Sequence, residues 1–368
     1  MPDVIVVGAG VVGASIAYRL ARAGARVMLL DRGAPGGGTS ATSFAWVNSN
    51  AKTPLAYHRL NAEGIAAHRR LRDALGEAPW LHEGGNLEWV DDEPGRERLL
   101  AKIERLRAWD YAVQLLDAAH ARELEPHLCF DGMVAAAYYP DEAWIEGPAL
   151  AQELAAAAAR LGAQVHSHTP IADLERTGER VTGVRLAAGE RLMADWVVIA
   201  AGRWTDQVAA TAGVRVPLAP TCGLLAVTSP VTPLVSRVIH APRVHFRPEP
   251  GSRLVLQDES TDATVGPDTP PDLALPGCTE LLRRARRYVP ALAHATVAEA
   301  RVGIRPMPAD GFPIVGPVAG RPGLYLAVTH SGITLCALLG ELVAQEITTG
   351  QPDERLAPFR PQRCVELV

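Results

Sequence analysis

Three glycines, Gly8, Gly10 and Gly13, are spaced Gly-x-Gly-x-x-Gly directly after the apolar run Val4-Ile5-Val6-Val7, and Asp31 closes the next such run. That spacing suits a dinucleotide. Gly8 permits a tight turn, Gly10 lets backbone amides approach a pyrophosphate, and Gly13 lets helix and strand pack closely. The helix that follows, entered through Val11 and Val12, presents roughly half a positive charge at its N-terminus to the phosphates. Asp31 is placed to accept from ribose hydroxyls. NAD and FAD share this arrangement. Arg32, beside the acid, reads either as a solvated loop residue or as a contact for the 2′-phosphate of NADP.

A second candidate is Arg305. It ends a predicted strand, 297–305, on which Glu299, Arg301, Gly303 and Arg305 share one face. Pointing inward, its planar fork matches a carboxylate; taken alone, it is a surface residue or a partner for Glu299. Other groupings carry less. His166 and His168 form a pair on a strand with no third ligand nearby in sequence. Arg283, Arg284, Arg286 and Arg287 resemble a nucleic-acid patch, but Leu281, Leu282, Ala285, Tyr288 and Val289 give that segment an apolar face and leave the arginines solvated. Asp310-Gly311 reads as a hairpin turn. No HExxH, GxSxG or P-loop pattern occurs.

These residues need elements to hold them. Strand 3–7, a helix carrying Ile16, Ala17, Leu20 and Ala21 and stopping at Gly24, and strand 27–31 form one βαβ unit. Residues 33–43 form a loop rich in Gly, Ser and Thr, as expected of backbone lying close to a ligand. Helices are predicted at 55–75, 93–109, 147–161, 277–289 and 334–348, and strands at 85–90, 134–139, 164–168, 171–176, 181–186, 195–202, 312–315 and 324–328. The stretch 215–275, dense in Pro, Val and turn residues, has an antiparallel signature. Parallel material at both ends therefore brackets antiparallel material in the middle.

The chain has 368 residues, which suggests two or three domains. Its 36 basic and 41 acidic side chains leave a formal charge of −5, without the basic surplus of a nucleic-acid binder. No apolar run is long enough to span a membrane. The first strand starts at once, with no basic n-region before it, so no secretory leader is expected. Cys129, Cys222, Cys278, Cys336 and Cys364 are sparse and scattered, which reads as reduced thiols and a cytoplasmic setting.

Three later segments add a resemblance. They are Gly38-Thr39-Ser40-Ala41-Thr42-Ser43-Phe44-Ala45-Trp46; the run Ala200-Ala201-Gly202 with Trp204, taken with Pro170-Ile171; and Arg305 through Gly316 followed by His330-Ser331-Gly332-Ile333-Thr334-Leu335. Together these resemble the D-amino-acid oxidase superfamily of flavoproteins, near its glycine oxidase and sarcosine oxidase branches. The resemblance spans nearly the whole chain and is weakest at about 90–140 and 215–295. It implies an α/β fold: a Rossmann-type FAD-binding domain (1–85, 145–215 and 300–368) with an inserted, mainly antiparallel β-sheet substrate domain (86–144 and 216–299).

The cofactor it implies is FAD, contacted by Gly8, Gly10, Val11, Val12, Gly13, Asp31, Arg32, Thr39, Ser40, Phe44, Ala45, Trp46, Ile171, Ala201, Gly202, Trp204, Ser331, Gly332, Ile333 and Thr334. Ile171 is implied to hold the adenine through its backbone. A helix starting near Gly332 would aim its amides at the flavin edge where reduction places negative charge. Arg305 is implied to bind a substrate carboxylate. In the glycine oxidase branch a second arginine assists it; here His330 takes that place, which points away from glycine and toward a bulkier, N-substituted substrate. Some sarcosine oxidases attach flavin to a cysteine before this segment. Residues 297–307 contain none, so the FAD is expected to be non-covalent.

The activity implied is oxidation of an amine alpha to a carboxylate, with O2 or another electron acceptor. A flavin-dependent 2-hydroxy-acid oxidase, an NAD(P)-dependent dehydrogenase and a non-catalytic FAD-binding subunit are the alternatives. No catalytic side chain and no metal ligand is assigned.

Overall fold

A computed structural model of the protein describes residues 1–368 apart from 77, 220, 233 and 234, the last three of which fall in the stretch read as antiparallel. Apolar runs buried on both faces make a six-stranded sheet. Its order is Ile314–Pro317, Leu324–Val328, Trp196–Ile199, Asp3–Val7, Arg26–Leu30, Gln164–His166. All neighbours run parallel except the edge strand Ile314–Pro317, which is antiparallel to Leu324–Val328. Four strands thus deliver their carboxyl ends side by side: Gly8 after the first, Asp31 after the second, Ala200 after Trp196–Ile199 and Thr329 after Leu324–Val328. In open α/β sheets this is where ligands bind.

Helices Val11–Arg22 and Gly332–Thr349 lie on one face of the sheet and touch closely. A Cβ on Gly340 would stand 2.2 Å from Ser15 Oγ, so glycine there sets the approach of the two axes. Helix Gly147–Arg160, with Pro148 in its first turn, packs on the other side of Val11–Arg22.

The middle of the chain forms an eight-stranded sheet in the order Val297–Arg305, Thr221–Thr228, Arg253–Gln257, Val244–Glu249, Val238–Ala241, Asn86–Val90, Ala135–Tyr139, Gln114–Leu116. Every pairing is antiparallel except that of Val238–Ala241 with Asn86–Val90. The predicted fold class, α/β with a mainly antiparallel second sheet, is therefore what the chain adopts. Strand Val297–Arg305 lies wholly in this sheet, so a division at residue 300 cuts an element.

Asp310-Gly311 is no hairpin turn, because Val297–Arg305 pairs in the eight-stranded sheet and Ile314–Pro317 in the six-stranded one. The dipeptide turns a crossover between sheets, with Gly311 at φ 81° and Asp310 held by Arg363 at 2.7 Å. Helix 277–289 also ends sooner, as Pro276–Ala285. Its arginines face carboxylates and solvent as expected, with Arg283 and Arg284 both on Glu280.

Candidate functional site

A cavity of about 1670 Å³ runs between the two large sheets. Every residue expected at the cofactor or substrate lines it except Gly13. Gly13 does the packing work foreseen for it: a Cβ there would lie 1.8 Å from the Gly8 carbonyl oxygen. Gly8 is at φ 105° with Ala200 pressed against it, whereas a Cβ on Gly10 would meet only Ser40 Oγ, at 3.3 Å. The turn is thus closed toward the protein at Gly8 and Gly13 and open toward the cavity at Gly10.

Two helix N-termini converge on this opening. The Ala14 amide bonds to the Gly10 carbonyl and the Val11 amide donates to Ser40 Oγ, while those of Val12 and Gly13 have no acceptor among the described residues. At the other helix Leu335 bonds to Ser331, leaving the amides of Gly332, Ile333 and Thr334 likewise open. Gly332 approaches Val12 so closely that a Cβ would sit 3.4 Å from its Cγ2. Free first-turn amides at two adjacent helix ends make a strongly anion-attracting floor.

Asp31 accepts the amides of Ala9 (2.6 Å) and Gly33 (2.7 Å), which locks its carboxylate at the cavity edge. Near it Arg32 lies over the Trp204 ring at 4.2 Å, with Arg203 over the same ring at 4.0 Å. Arg32 stays exposed to water, as one of its two readings had it, and the stacking adds an aromatic contact to it. Ile171, Ala201 and Gly202, the last at φ 55°, line the same end.

The loop through residues 38–46 is pinned to the eight-stranded sheet. Thr39 Oγ1 donates to the Ile304 carbonyl at 2.8 Å, and Thr42 fills the space a side chain on Gly303 would need. Arg247, buried and paired with Glu249 at 2.7 Å, donates to the Phe44 carbonyl. Ala45 adopts φ 57°, a conformation costly outside glycine and held here by neighbours on either side. Trp46 donates to Glu142 at 3.0 Å and packs at a tilt of 45° against His240, ring centroids 4.1 Å apart. Thr334 Oγ1 accepts the Asn48 amide at 3.1 Å, tying this loop to the Gly332–Thr349 helix.

Glu142 is a hub that the sequence did not announce. Fully buried, it accepts from Trp46, the Ser49 and Asn50 amides, the Asn50 side chain and Tyr111. Burial raises its pKa, against the pull of those donors.

At the opposite pole Arg305 lies across Gly223, donating to Asp262 at 2.6 Å and to the Cys222 carbonyl at 3.0 Å. The partner expected from the strand, Glu299, is taken by Arg301. His330 stands in the same pole. Burial, with the fields of Lys52 and Arg305 added, lowers its pKa to about 4, so the imidazole is uncharged at neutral pH. Tyr57 bonds to Ser331 at 2.6 Å and carries Lys52 over its ring at 5.7 Å. His240 and His245, ring centroids 4.3 Å apart, complete the wall. Asp262, Lys52, Glu142 and the two histidines were not foreseen. Among the described residues no cluster of three His, Cys, Asp or Glu suits a metal, and no helix is long and apolar enough to cross a membrane.

An elongated cavity with an acid at one end, glycine-lined amides in its middle and a pinned loop alongside fits FAD. Known proteins agree with this geometry. A model of the FAD dependent oxidoreductase family matches residues 3–346. The glycine oxidase of Geobacillus kaustophilus is 30% identical over 372 residues, covering 99% of this chain and 97% of the relative. An opine oxidase polypeptide from Agrobacterium tumefaciens is 28% identical, covering 98% of this chain and 97% of the relative. The crystal structure of the Geobacillus kaustophilus glycine oxidase superposes with a TM-score of 0.86 at 29% identity over 98% of both chains. That of an iminodiacetate oxidase from Chelativorans sp. BNC1 gives 0.84 at 27% identity, over 98% of this chain and 99% of the other. Cradle, acid and likeness over almost the full length concur: this chain belongs to the FAD dependent oxidoreductase family and is an FAD-dependent amino-acid or amine oxidoreductase.

Proposed function

We propose that the enzyme oxidises the C–N bond of an amine alpha to a carboxylate, an amino acid or an N-substituted glycine. FAD held by the Gly8–Gly13 turn, Asp31 and the 332–334 amides would supply the acceptor for a hydride from Cα; water would hydrolyse the imine so formed to a 2-oxo acid or glyoxylate and an amine, and O2 or another acceptor would take up the electrons. The observation that supports this most is Arg305 at the far pole of the cavity that holds the cofactor cradle. Two of its five N–H donors go to Asp262 and Cys222, which fix its plane and leave the others for a carboxylate.

His330 adds a hydrogen-bonding group without charge, and Phe44, Trp89 and Leu225 give the wall an apolar surface. No side-chain base is needed, because the lone pair of a neutral amine assists departure of the hydride. The remaining work of the chain is orientation and electrostatic support at the 332–334 amides. We assign residues 1–85, 145–215 and 306–368 to the cofactor half and 86–144 and 216–305 to the substrate half, and place the protein in the cytoplasm.

Anaerobic mixing of the holoenzyme with amino acids, N-substituted glycines and 2-hydroxy acids tests the reading through loss of the yellow flavin absorbance. Bleaching by amines is expected. Bleaching by hydroxy acids alone transfers the assignment to those substrates, and no bleaching by any of them overturns the proposed substrate class.

A further inference from the structure

Beside the main cavity lies a smaller one of about 330 Å³, lined by Thr53, Tyr57, Asp310, Gly311 and Phe312 and sharing Ala51, Lys52, Met307 and His330 with its larger neighbour. Lys52 stands where the two meet. Among the described residues no carboxylate lies within 4 Å of its ammonium and no group accepts a hydrogen bond from it. The other basic residues along the main cavity are accounted for. Arg305 is matched by Asp262 and Lys102 by Glu88, at 2.6 and 2.7 Å, while Arg32 and Arg243 are exposed to water.

Lys52 is only partly exposed, and burial lowers its pKa while the field of Glu142 opposes that shift. Glu142 cannot turn to meet it, since both its oxygens are held by five donors, four of them from residues 46–50 and the fifth Tyr111. The one carboxylate in the annex, Asp310, is bound to Arg363. The annex therefore offers an unmatched cation, an aromatic floor of Tyr57 and Phe312, and room for a short acyclic chain.

We propose that Lys52 binds a second carboxylate, carried on the amine nitrogen of the substrate, so that the preferred substrates are N-(carboxyalkyl) amino acids: one carboxylate on Arg305, the other in the annex. This rests on the amine-oxidation reading for its chemistry, but Lys52 selects the second acid group whether or not that chemistry follows. A substrate with one carboxylate leaves Lys52 without a carboxylate partner. A second carboxylate supplies a charge-assisted bond there.

The test separates binding from turnover. Thiodiacetate, which has two carboxylates and no oxidisable amine, is titrated into the flavin-loaded enzyme beside methylthioacetate, which has one; perturbation of the flavin spectrum and calorimetry both read the Kd. The wild type is expected to bind the diacid at least about tenfold more tightly. Lys52→Met should lose most of that preference, and Lys52→Arg should keep it. Equal binding of the two ligands by the wild type overturns the proposal. So does an equal loss on both in Lys52→Met, which makes the lysine merely structural. If Lys52→Met does not load flavin, the wild-type preference and Lys52→Arg decide alone. A preference for the diacid with no amine bleaching the flavin leaves the Lys52 assignment standing and removes the oxidation reading instead.

Discussion

Arg305 donates to Asp262 at 2.6 Å, and through that bond a strand at one end of the eight-stranded sheet is held to the short helix Glu259–Asp262. The same carboxylate accepts the Leu224 amide at 2.8 Å and the Gln257 side chain at 3.0 Å. Asp262 is thus immobile, and the guanidinium it holds cannot swivel. An arginine so fixed imposes a plane on its ligand as well as a charge.

Arg305→Lys is expected to lower kcat/KM roughly ten- to a hundredfold, and Arg305→Ala more, because an ammonium supplies charge without the fork. The comparison that checks it uses a carboxylate substrate and its amide. The loss should fall on the acid. Equal losses on both would mean that Arg305 only braces Asp262.

Gly10→Ala and Gly13→Ala should separate. The first adds a Cβ that meets only the Ser40 hydroxyl, at 3.3 Å, so the apoprotein should keep its thermal midpoint while FAD binding weakens severely. The second drives a Cβ to 1.8 Å from the Gly8 oxygen and should destabilise the fold by about 3 kcal/mol. Flavin titration of each purified variant, with its melting curve, reads both effects. Normal flavin content in Gly10→Ala would contradict the placement of the pyrophosphate.

Acid precipitation should release the chromophore into the supernatant. Cys222 is the thiol that lines the cavity among the described residues, and it lies at the Arg305 pole. Colour retained in the pellet of the wild type but not of Cys222→Ser would show a covalent bond at that sulfur.

Stability should fall as pH drops from about 6.5 toward 4. His68 is fully buried, its Nε2 donates to the Ile333 carbonyl at 2.9 Å, and its Nδ1 has no partner. Burial lowers its pKa to about 4, and His330 behaves alike. With folded values below the unfolded ones, the unfolded chain binds more protons in that window, so acid favours unfolding; above it the contribution is constant. The loss from His68 at pH 5 is about 2 kcal/mol. Urea midpoints at about pH 7 and pH 5 measure it, and His68→Gln, which keeps a donor to Ile333, should reduce the difference. Identical midpoints in the wild type would show that these rings ionise freely.

The glycine turn, Asp31, the strand bearing Arg305 and the body of the last helix, 334–348, were legible because each is encoded locally, by spacing or by apolar periodicity, whereas its start at Gly332 came with the resemblance. What was not legible depends on approach across the chain. Nothing near Arg305 in sequence distinguishes Asp262 from Glu299 as its partner, and tertiary packing gives Glu299 to Arg301. The Asp310-Gly311 turn has hairpin chemistry, yet the strands flanking it join different sheets. Lys52 and Glu142 carry no local motif, and their meaning comes from a cavity wall and from five donors gathered out of two segments, 46–50 and Tyr111.

The central strand Asp3–Val7 has consequences for how the protein is made. One neighbour, Arg26–Leu30, follows it at once, but Asp3 meets Asp195 across 192 residues of chain. At ribosomal speeds of about 5–20 residues per second, the first strand waits roughly 10–40 seconds for its second partner. Leu324–Val328 and the Gly332–Thr349 helix, which complete the cradle, emerge later still. Flavin loading is then a late event in biogenesis, and a nascent chain halted before Leu324 has a half-built nucleotide floor with one flank of its sheet uncovered.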